Sequence, residues 1–473
     1  MLVNHRLPAQ GSFRARLKWL TGQTVEHPDS VTLLAPQDGK YAVRFEPGAN
    51  QGLFGCHVVG REDVKQAGII SVNCRALAIA NCSIESFMGG AIRLQDAGTE
   101  LAGGAVLIHG CRLHKNESKI GGGLYAQRSS VTLVDCIIER NKAVTGGAIY
   151  GVDLRAPLTI SSSRIAHNRA QLEESPQVAI ADKPLEDWQN EEGLGGGLYL
   201  RNSRFKSSGS EFVENGASVA GGGAALIGCK AIVEEDDENR PRFARNKSRV
   251  GAGLVLIGWP GNESTLKATN VLVERNKAPI SGAGFAAIGL ATIQCLHGEF
   301  KENEVTEEDG TGGAVACHLG AEILAGDVEF LDNKSAGCGG AIAAIDARIT
   351  LKDSTRVRSN MARTSGGGLY AITSNSPVAI ELARNKTIKL PFTVTLENIK
   401  ISNNASTDLG GGFRAGNELG RATLPLGIRL GEDVVFQLNR TKSQVENGDD
   451  VWVVWAGQVK ATDRDRPQKL VLR

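Results

Sequence analysis

Apolar residues recur along this chain in two short alternating stretches that precede a regularly placed asparagine. Counted back from that asparagine, positions 3, 5, 8 and 10 are mostly apolar, and alternation with period two is typical of β-strands. The one-residue shift between the two stretches predicts a bend between two strands that line the same core. Clear examples are Val106, Ile108, Cys111 and Leu113, then Val131, Leu133, Cys136 and Ile138, then Val394, Leu396, Ile399 and Ile401.

The asparagine marks an internal repeat. Most intervals between successive markers are 25 to 31 residues long, and a Gly-rich segment with small apolar residues follows each marker. Three strands and three corners per interval predict an all-β fold, a right-handed single-stranded parallel β-helix (a solenoid) of about 11–12 coils with terminal caps. The markers are Asn116, Asn141, Asn168, Asn215, Asn246, Asn276, Asn303, Asn333, Asn360 and Asn404.

Stacked coils bring equivalent corner residues within reach of one another. Because neighbouring strands lie about 4.8 Å apart, a corner asparagine can bond its counterparts in the coils above and below. The glycine pair after the marker allows positive φ angles and a close approach of successive corners. The sequence therefore predicts a structural ladder that includes Asn116, Asn141, Asn276, Asn333 and Asn360.

The extent of the repeat divides the chain into three parts. Residues 1–55 lack the repeat and are predicted to cap the N-terminal end, residues 56–421 form the β-helix, and residues 422–473 continue as C-terminal strands that close the other end. Insertions at 169–194 and 372–392 break the period. The first predicts either a short helix that packs its tryptophan on the rod or a protrusion that binds a partner, and the second predicts a hairpin with a basic tip.

Loops on a regular scaffold often carry function, so candidate partner-binding residues are sought where the repeat is interrupted. The chain has only 5 tryptophans, and the one in the segment GWPGNES is expected to be exposed. The candidates are Trp188, Glu186, Asp187, Trp259, Lys386 and Lys389.

Composition narrows the classes of partner and compartment. The net charge of +1 argues against nucleic acid as a partner. Nine cysteines, an odd number in a long chain without a CxxC pair, predict buried reduced thiols and a reducing compartment. Residues 1–30 contain no apolar run of signal-peptide or transmembrane length. We therefore expect a cytoplasmic protein or part of an assembled particle, and a surface or secreted protein if a signal peptide has been removed.

The sequence indicates no catalytic, cofactor-binding or metal-binding residues. Enzymes that cleave polysaccharides need paired carboxylates or calcium ligands on one face, and we expect no stacked carboxylate pair on neighbouring coils. The acidic run from Glu234 to Glu238 predicts a solvated loop.

Paired tetrapeptides connect the repeat to a known family. The motifs FVEN at 212, FARN at 243, FKEN at 300 and FLDN at 330 alternate with GGAI at 89, 146 and 339 and GGAV at 103 and 312. They resemble the repeats of the polymorphic outer membrane proteins, autotransporter adhesins of chlamydiae, over roughly residues 85–415. The resemblance implies a β-helical passenger domain with an adhesin-like role.

Three functions remain open at this point. The leading hypothesis is a non-enzymatic scaffold that presents its insertions to a protein or a surface polysaccharide, with oligomer formation left open. The first alternative is a carbohydrate-active enzyme that uses an outer groove of the β-helix. The second is a structural component of a phage-tail-like or injection assembly.

Overall fold

A computed structural model describes residues 31–36, 40–45, 47, 50–61, 63–98, 105–174, 178–180, 183–374, 376–417, 424–431, 433–442, 451–454, 459–461 and 471–472. The chain winds as a right-handed parallel β-helix, which confirms the predicted fold class. Each regular coil runs through four sheets, which we name A, D, B and C in that order, and neighbouring strands within each sheet are parallel.

Sheets A, B and C extend along the whole described rod. Sheet A consists of Val31–Leu34, Cys56–Val59, Ser83–Glu85, Arg112–His114, Ile137–Glu139, Arg164–Ala166, Glu211–Val213, Arg242–Ala244, Leu272–Glu274, Glu299–Lys301, Glu329–Leu331, Arg356–Arg358, Ile399–Ser402 and Val434–Gln437. Sheet B consists of Tyr41–Phe45, Ala67–Val72, Ile92–Gln95, Leu124–Gln127, Ile149–Val152, Leu198–Arg201, Ala224–Ile227, Leu254–Gly258, Phe285–Gly289, Val315–His318, Ile342–Ile345, Leu369–Thr373, Phe413–Asn417, Val451–Val454 and Val471–Leu472. Sheet C consists of Asn50–Phe54, Ala76–Ala80, Val106–His109, Val131–Val134, Leu158–Ser161, Arg204–Ser208, Lys230–Glu234, Ser264–Thr269, Ala291–Leu296, Glu322–Gly326, Arg348–Lys352, Phe392–Leu396, Leu426–Leu430 and Val459–Ala461.

Sheet D is narrow and was not expected from the sequence, which predicted three strands per coil. Its strands begin directly after the marker asparagine and are mostly two residues long. They are Glu117–Ile120, Lys142–Thr145, Arg169–Ala170, Gly216–Ala217, Lys277–Ala278, Glu304–Val305, Lys334–Ser335, Met361–Ala362, Ala405–Ser406 and Arg440–Thr441. Single bridges at Lys247 join its two parts.

The winding begins earlier than the predicted boundary at residue 56. The strands Val31–Leu34, Tyr41–Phe45 and Asn50–Phe54 already pair in register with the next coil. Residues 1–30, which make up most of the predicted N-terminal cap, lie outside the described residues. The sequence pattern missed this coil because it carries no marker asparagine.

The interior is a continuous column of apolar side chains. The phenylalanine three residues before the marker forms stacked and edge-to-face pairs between coils, such as Phe212 with Phe243 at 4.9 Å and Phe300 with Phe330 at 5.1 Å between ring centroids. Beside this column, buried asparagines form an unbroken ladder from Asn116 to Asn439. The residue before Asn116 in this column is Phe87, whose backbone amide donates to Oδ1 of Asn116 at 3.1 Å.

The two glycines that follow the marker have different roles. The first, such as Gly339 with φ of 68°, takes a left-handed conformation that other residues adopt at a cost. The second, Gly340, faces the carbonyl oxygen of Gly367 in the next coil so closely that a Cβ atom would clash with it. Together they allow successive corners to stack.

Candidate functional site

The outer face of sheet B is apolar over its central coils. In Leu254–Gly258 the inner residues Leu254 and Leu256 line the core, while the outer residues Val255 and Ile257 are also fully buried. Burial on both faces requires a second layer on this sheet. The two insertions supply that layer, because they leave the rod at opposite edges of sheet B and both contribute to one apolar cluster.

The first insertion contains a short 3₁₀ helix, Leu185–Asn190. Trp188 of this helix is completely buried, and the ammonium of Lys183 lies 4.7 Å from its ring centroid. Burial lowers the pKa of the Lys183 amine. The hydroxyl of Tyr199 in sheet B donates to the carbonyl oxygen of Gln189 at 3.3 Å. Trp188 therefore anchors the insertion to the rod.

The candidate residues of the first insertion thus have different positions. Trp188 faces the rod and presents no surface to a partner, whereas its neighbours Glu186 and Asp187 are exposed. Their role in partner binding stays a prediction.

The second insertion contains an α-helix, Pro377–Arg384, so the predicted hairpin is wrong. The side chain of Ser376 accepts a hydrogen bond from the backbone of Ala379, and proline occupies the first turn; both features favour a helix start. Ile388, beyond the helix, packs on Gly320 of the rod. Lys386 and Lys389 are exposed, and among the described residues no ion pair joins them to Glu186 or Asp187.

Trp259 is buried, so the expectation that it is exposed is wrong. Only 5% of the residue is accessible, and it belongs to the apolar cluster beneath the insertions. Its backbone exchanges two hydrogen bonds with Asn262, at 3.2 and 2.9 Å, which closes a tight turn. The large ring of Trp259 is used to cover the outer face of sheet B.

A groove with a volume of about 1080 Å³ lies over sheet D, beside the start of the first insertion. We call it the sheet D groove. It extends over five successive coils and contains a cluster of basic side chains. Its lining includes His167, Arg169, Gln171, Leu172, Glu173, Glu214, Gly216, Ala217, Ser218, Arg245, Lys247, Ser248, Arg249, Lys277, Pro279 and Thr306.

Three of the basic residues in the groove have carboxylate partners. Arg245 pairs with Glu214 at 3.2 Å, Lys277 with Glu304 at 3.0 Å, and Arg249 with Glu307 at 3.5 Å.

The other two, Arg169 and Lys247, have no carboxylate within ion-pair distance among the residues that the structure describes. Their side chains are exposed. Gly216 lies between them in register, and a Cβ atom placed there would meet only the carbonyl oxygen of Lys247, at 3.9 Å.

Sheet A carries stacked carboxylates, contrary to the expectation from the sequence. Glu299 and Glu329 are register partners on adjacent coils. Glu299 accepts from Arg240 at 3.2 Å and pairs with Lys301 at 3.3 Å, while Glu329 pairs with Arg358 at 2.5 Å. The pattern was missed because the two residues are 30 apart and only the register shows that they align. Each carboxylate is neutralised by basic side chains of its own face.

A serine and a histidine meet beneath the cover of sheet B. Oγ of Ser281 lies 2.7 Å from Nε2 of His318, and 3.1 Å from the hydroxyl of Thr311. Burial lowers the pKa of His318 to about 4. Because the group is enclosed by the rod and its cover, we assign it a structural role.

Other chemistry is sparse in the described part of the chain. No cluster of three or more histidine, cysteine, aspartate or glutamate side chains there has the arrangement of a metal site. All nine cysteines are free, and eight are buried. None of the described helices has the length and apolar character needed to cross a membrane.

The sequence did contain a signal for the groove. The residue after the marker asparagine is basic in several coils, and these residues share one column of sheet D: Lys142, Arg169, Lys247, Lys277 and Lys334. The sequence alone assigned no role to this position. None of the residues predicted to bind a partner lines the groove.

Comparisons with known proteins agree with this geometry. A family model described as a right handed beta helix region matches residues 62–237, and a model of the Chlamydia polymorphic membrane protein repeat matches residues 327–345. The second match includes the FLDN and GGAI motifs at 330 and 339 and confirms the resemblance seen in the sequence. No curated protein and no solved structure matches the chain.

Proposed function

We propose, on the premise that this chain is a right-handed parallel β-helix with a polymorphic membrane protein repeat, that it is a non-enzymatic, adhesin-like binding scaffold. Its partner is a protein or a surface polysaccharide. The repeat favours a site of action at the bacterial surface or after secretion.

One observation carries the proposal. The insertions lie over the rod with Trp188 and Trp259 buried, and most charges on sheet A are paired with each other. The sheet D groove is a concave surface with exposed cations, at Arg169 and Lys247, that have no carboxylate within ion-pair distance in the described part of the chain. A rigid rod with such a surface is suited to holding a ligand.

Binding is tested with the purified full chain against immobilised neutral polysaccharides, anionic polysaccharides and extracellular-matrix proteins. We expect saturable binding to at least one probe, and no binding by the same chain after thermal unfolding. Absence of saturable binding across the whole set would overturn the proposal.

The stacked pair Glu299 and Glu329 favours a second candidate, a carbohydrate-active enzyme. Residues paired on adjacent strands lie about 4.8 Å apart at the backbone, which allows their carboxyl groups to approach the separation of about 5 Å that retaining glycosidases use. The test is release of reducing ends or unsaturated products from the polysaccharides. If products form and Glu299→Gln abolishes their formation, the enzyme is favoured over the scaffold. If no product forms, the enzyme candidate is rejected.

A further inference from the structure

The sheet D groove carries an excess of positive charge. Its lining contains five arginine or lysine side chains and two glutamates. Glu304 and Glu307, beside the lining, pair with Lys277 and Arg249. The positive charge without a carboxylate partner among the described residues therefore comes from Arg169 and Lys247. A concave surface lined by one sign of charge concentrates ligands of the opposite sign.

The basic residues are arranged along the rod axis. Lys247 and Lys277 are register partners on adjacent coils, about 4.8 Å apart at the backbone. Arg169 precedes Lys247 by two coils, with Gly216 between them. A linear ligand lying along the axis would therefore meet a positive charge in three of the five coils that the groove spans, at Arg169, Lys247 and Lys277.

The remaining lining favours one class of polyanion. Single-stranded nucleic acids are held by aromatic side chains that stack on bases, and protein interfaces concentrate tryptophan, tyrosine and apolar residues at their centre. The groove instead contains Gly216, Ser218, Ser248 and Thr306, and Leu172 is the one large aliphatic residue among the described residues that line it. Basic side chains among small polar residues fit a hydrated, charged sugar chain.

We propose that the sheet D groove binds a linear anionic polysaccharide that lies along the rod axis, with its carboxylate or sulfate groups beside Arg169, Lys247 and Lys277. This inference rests on the proposed binding function and names the ligand class. Carboxylate and sulfate share the chemistry that the groove recognises, so the experiment separates these two sources.

Binding of the full chain is measured by fluorescence anisotropy with labelled polygalacturonate and labelled dextran sulfate. Unlabelled dextran, poly-glutamate and single-stranded poly-dT serve as competitors. We expect one or both anionic polysaccharides to bind, with affinity that falls as salt rises. Tighter binding to polygalacturonate assigns a uronate ligand, and tighter binding to dextran sulfate assigns a sulfated one. Equal competition by poly-glutamate or poly-dT would overturn the proposal, because it would show unselective attraction to negative charge.

Charge variants locate the site. Lys247→Glu should weaken binding about fivefold or more, as expected for reversing one cation that faces a polyanion. Lys334→Glu is the matched control, because Lys334 is an exposed member of the same column outside the groove. Equal losses in the two variants would contradict the assignment to the groove.

Gly216 provides a test in both directions. Its position has open space for a side chain, so Gly216→Glu should reduce binding and Gly216→Lys should increase it, with the fold intact by circular dichroism. If the polysaccharide binds but no groove variant changes its affinity, the groove assignment fails while the proposed binding function stands. If no polysaccharide or protein probe binds, the proposed function fails.

Discussion

Nδ2 of Asn276 lies 2.9 Å from Oδ1 of Asn303 in the next coil, and both residues are completely buried. The same Nδ2 donates to the carbonyl oxygen of Phe243 at 2.9 Å, and Oδ1 of Asn276 accepts from the backbone and the side chain of Asn246. Every polar atom of the amide is satisfied, as a buried polar group requires.

Asn276→Asp should therefore destabilise the rod by about 3–5 kcal/mol. A carboxylate cannot donate to Asn303 or Phe243, and it places an unpaired charge in the core. Urea unfolding followed by circular dichroism measures the loss. Lys277→Ser, at the adjacent exposed position, should change stability by no more than about 0.5 kcal/mol. A loss of similar size in both variants would contradict the role of the ladder.

Two glycines of the rod should respond differently to the same substitution. Gly340→Ala places a methyl group against the carbonyl oxygen of Gly367 and should separate adjacent corners, at a cost of about 1–3 kcal/mol. Gly216→Ala meets open space and should be neutral or stabilising by up to about 1 kcal/mol. Thermal unfolding of both variants tests this, and the reverse order of stability would show that close corner packing is unimportant.

Trp188→Ala should lower stability by about 3–5 kcal/mol, because it removes the largest buried side chain that anchors the first insertion. The outer face of sheet B, including Val255 and Ile257, should become accessible to a hydrophobic dye. Glu186→Ala, on the exposed side of the same 3₁₀ helix, is the control and should leave dye binding unchanged. Unaltered dye binding in Trp188→Ala would show that the insertion does not depend on this anchor.

Stability should fall between about pH 6.5 and pH 4 because of His318. Burial lowers its folded-state pKa to about 4, so in this window the unfolded chain binds a proton that the folded chain does not. The contribution of His318 to the free energy of unfolding is fully present above the pKa of about 6.5 that it has in the unfolded chain. It is lost as pH falls through the folded-state pKa, and the total loss is about 3 kcal/mol.

His318→Gln should remove this component of the pH dependence, which unfolding at pH 7 and pH 5 would reveal. His297→Gln is the matched control, since His297 is exposed beside Asp327. If His318→Gln unfolds with the same pH dependence as the unaltered chain, another group is responsible.

The interior of the rod could be predicted because its positions repeat. Phe212 and Phe243 hold the same offset from their asparagines, and this offset alone indicates that they stack. The outer layer could not be predicted in the same way. The run from Leu254 to Ile257 lacks alternation, which indicates a strand covered on both faces, but its cover comes from Trp188, far away in sequence.

The charged surfaces show a similar limit. The basic residue after the marker is visible in the sequence at Lys247 and Lys277. Only the structure shows that these residues line a concave surface. The groove arises because the first insertion leaves the rod at Gln171 and because Gly216 carries no side chain. Residue types alone do not predict where the insertion lies on the rod or that the space beside Gly216 stays open.

The positions of the two insertions constrain how this gene can change in length. Leu185 of the first lies on Gly289, and Ile388 of the second lies on Gly320, one coil further along. Gain or loss of a whole repeat between residues 194 and 372 would shift the coils that these side chains contact. The apolar outer face of sheet B would then be exposed to water. We therefore expect gain or loss of a whole repeat to be tolerated better near the ends of the rod than between the two insertions.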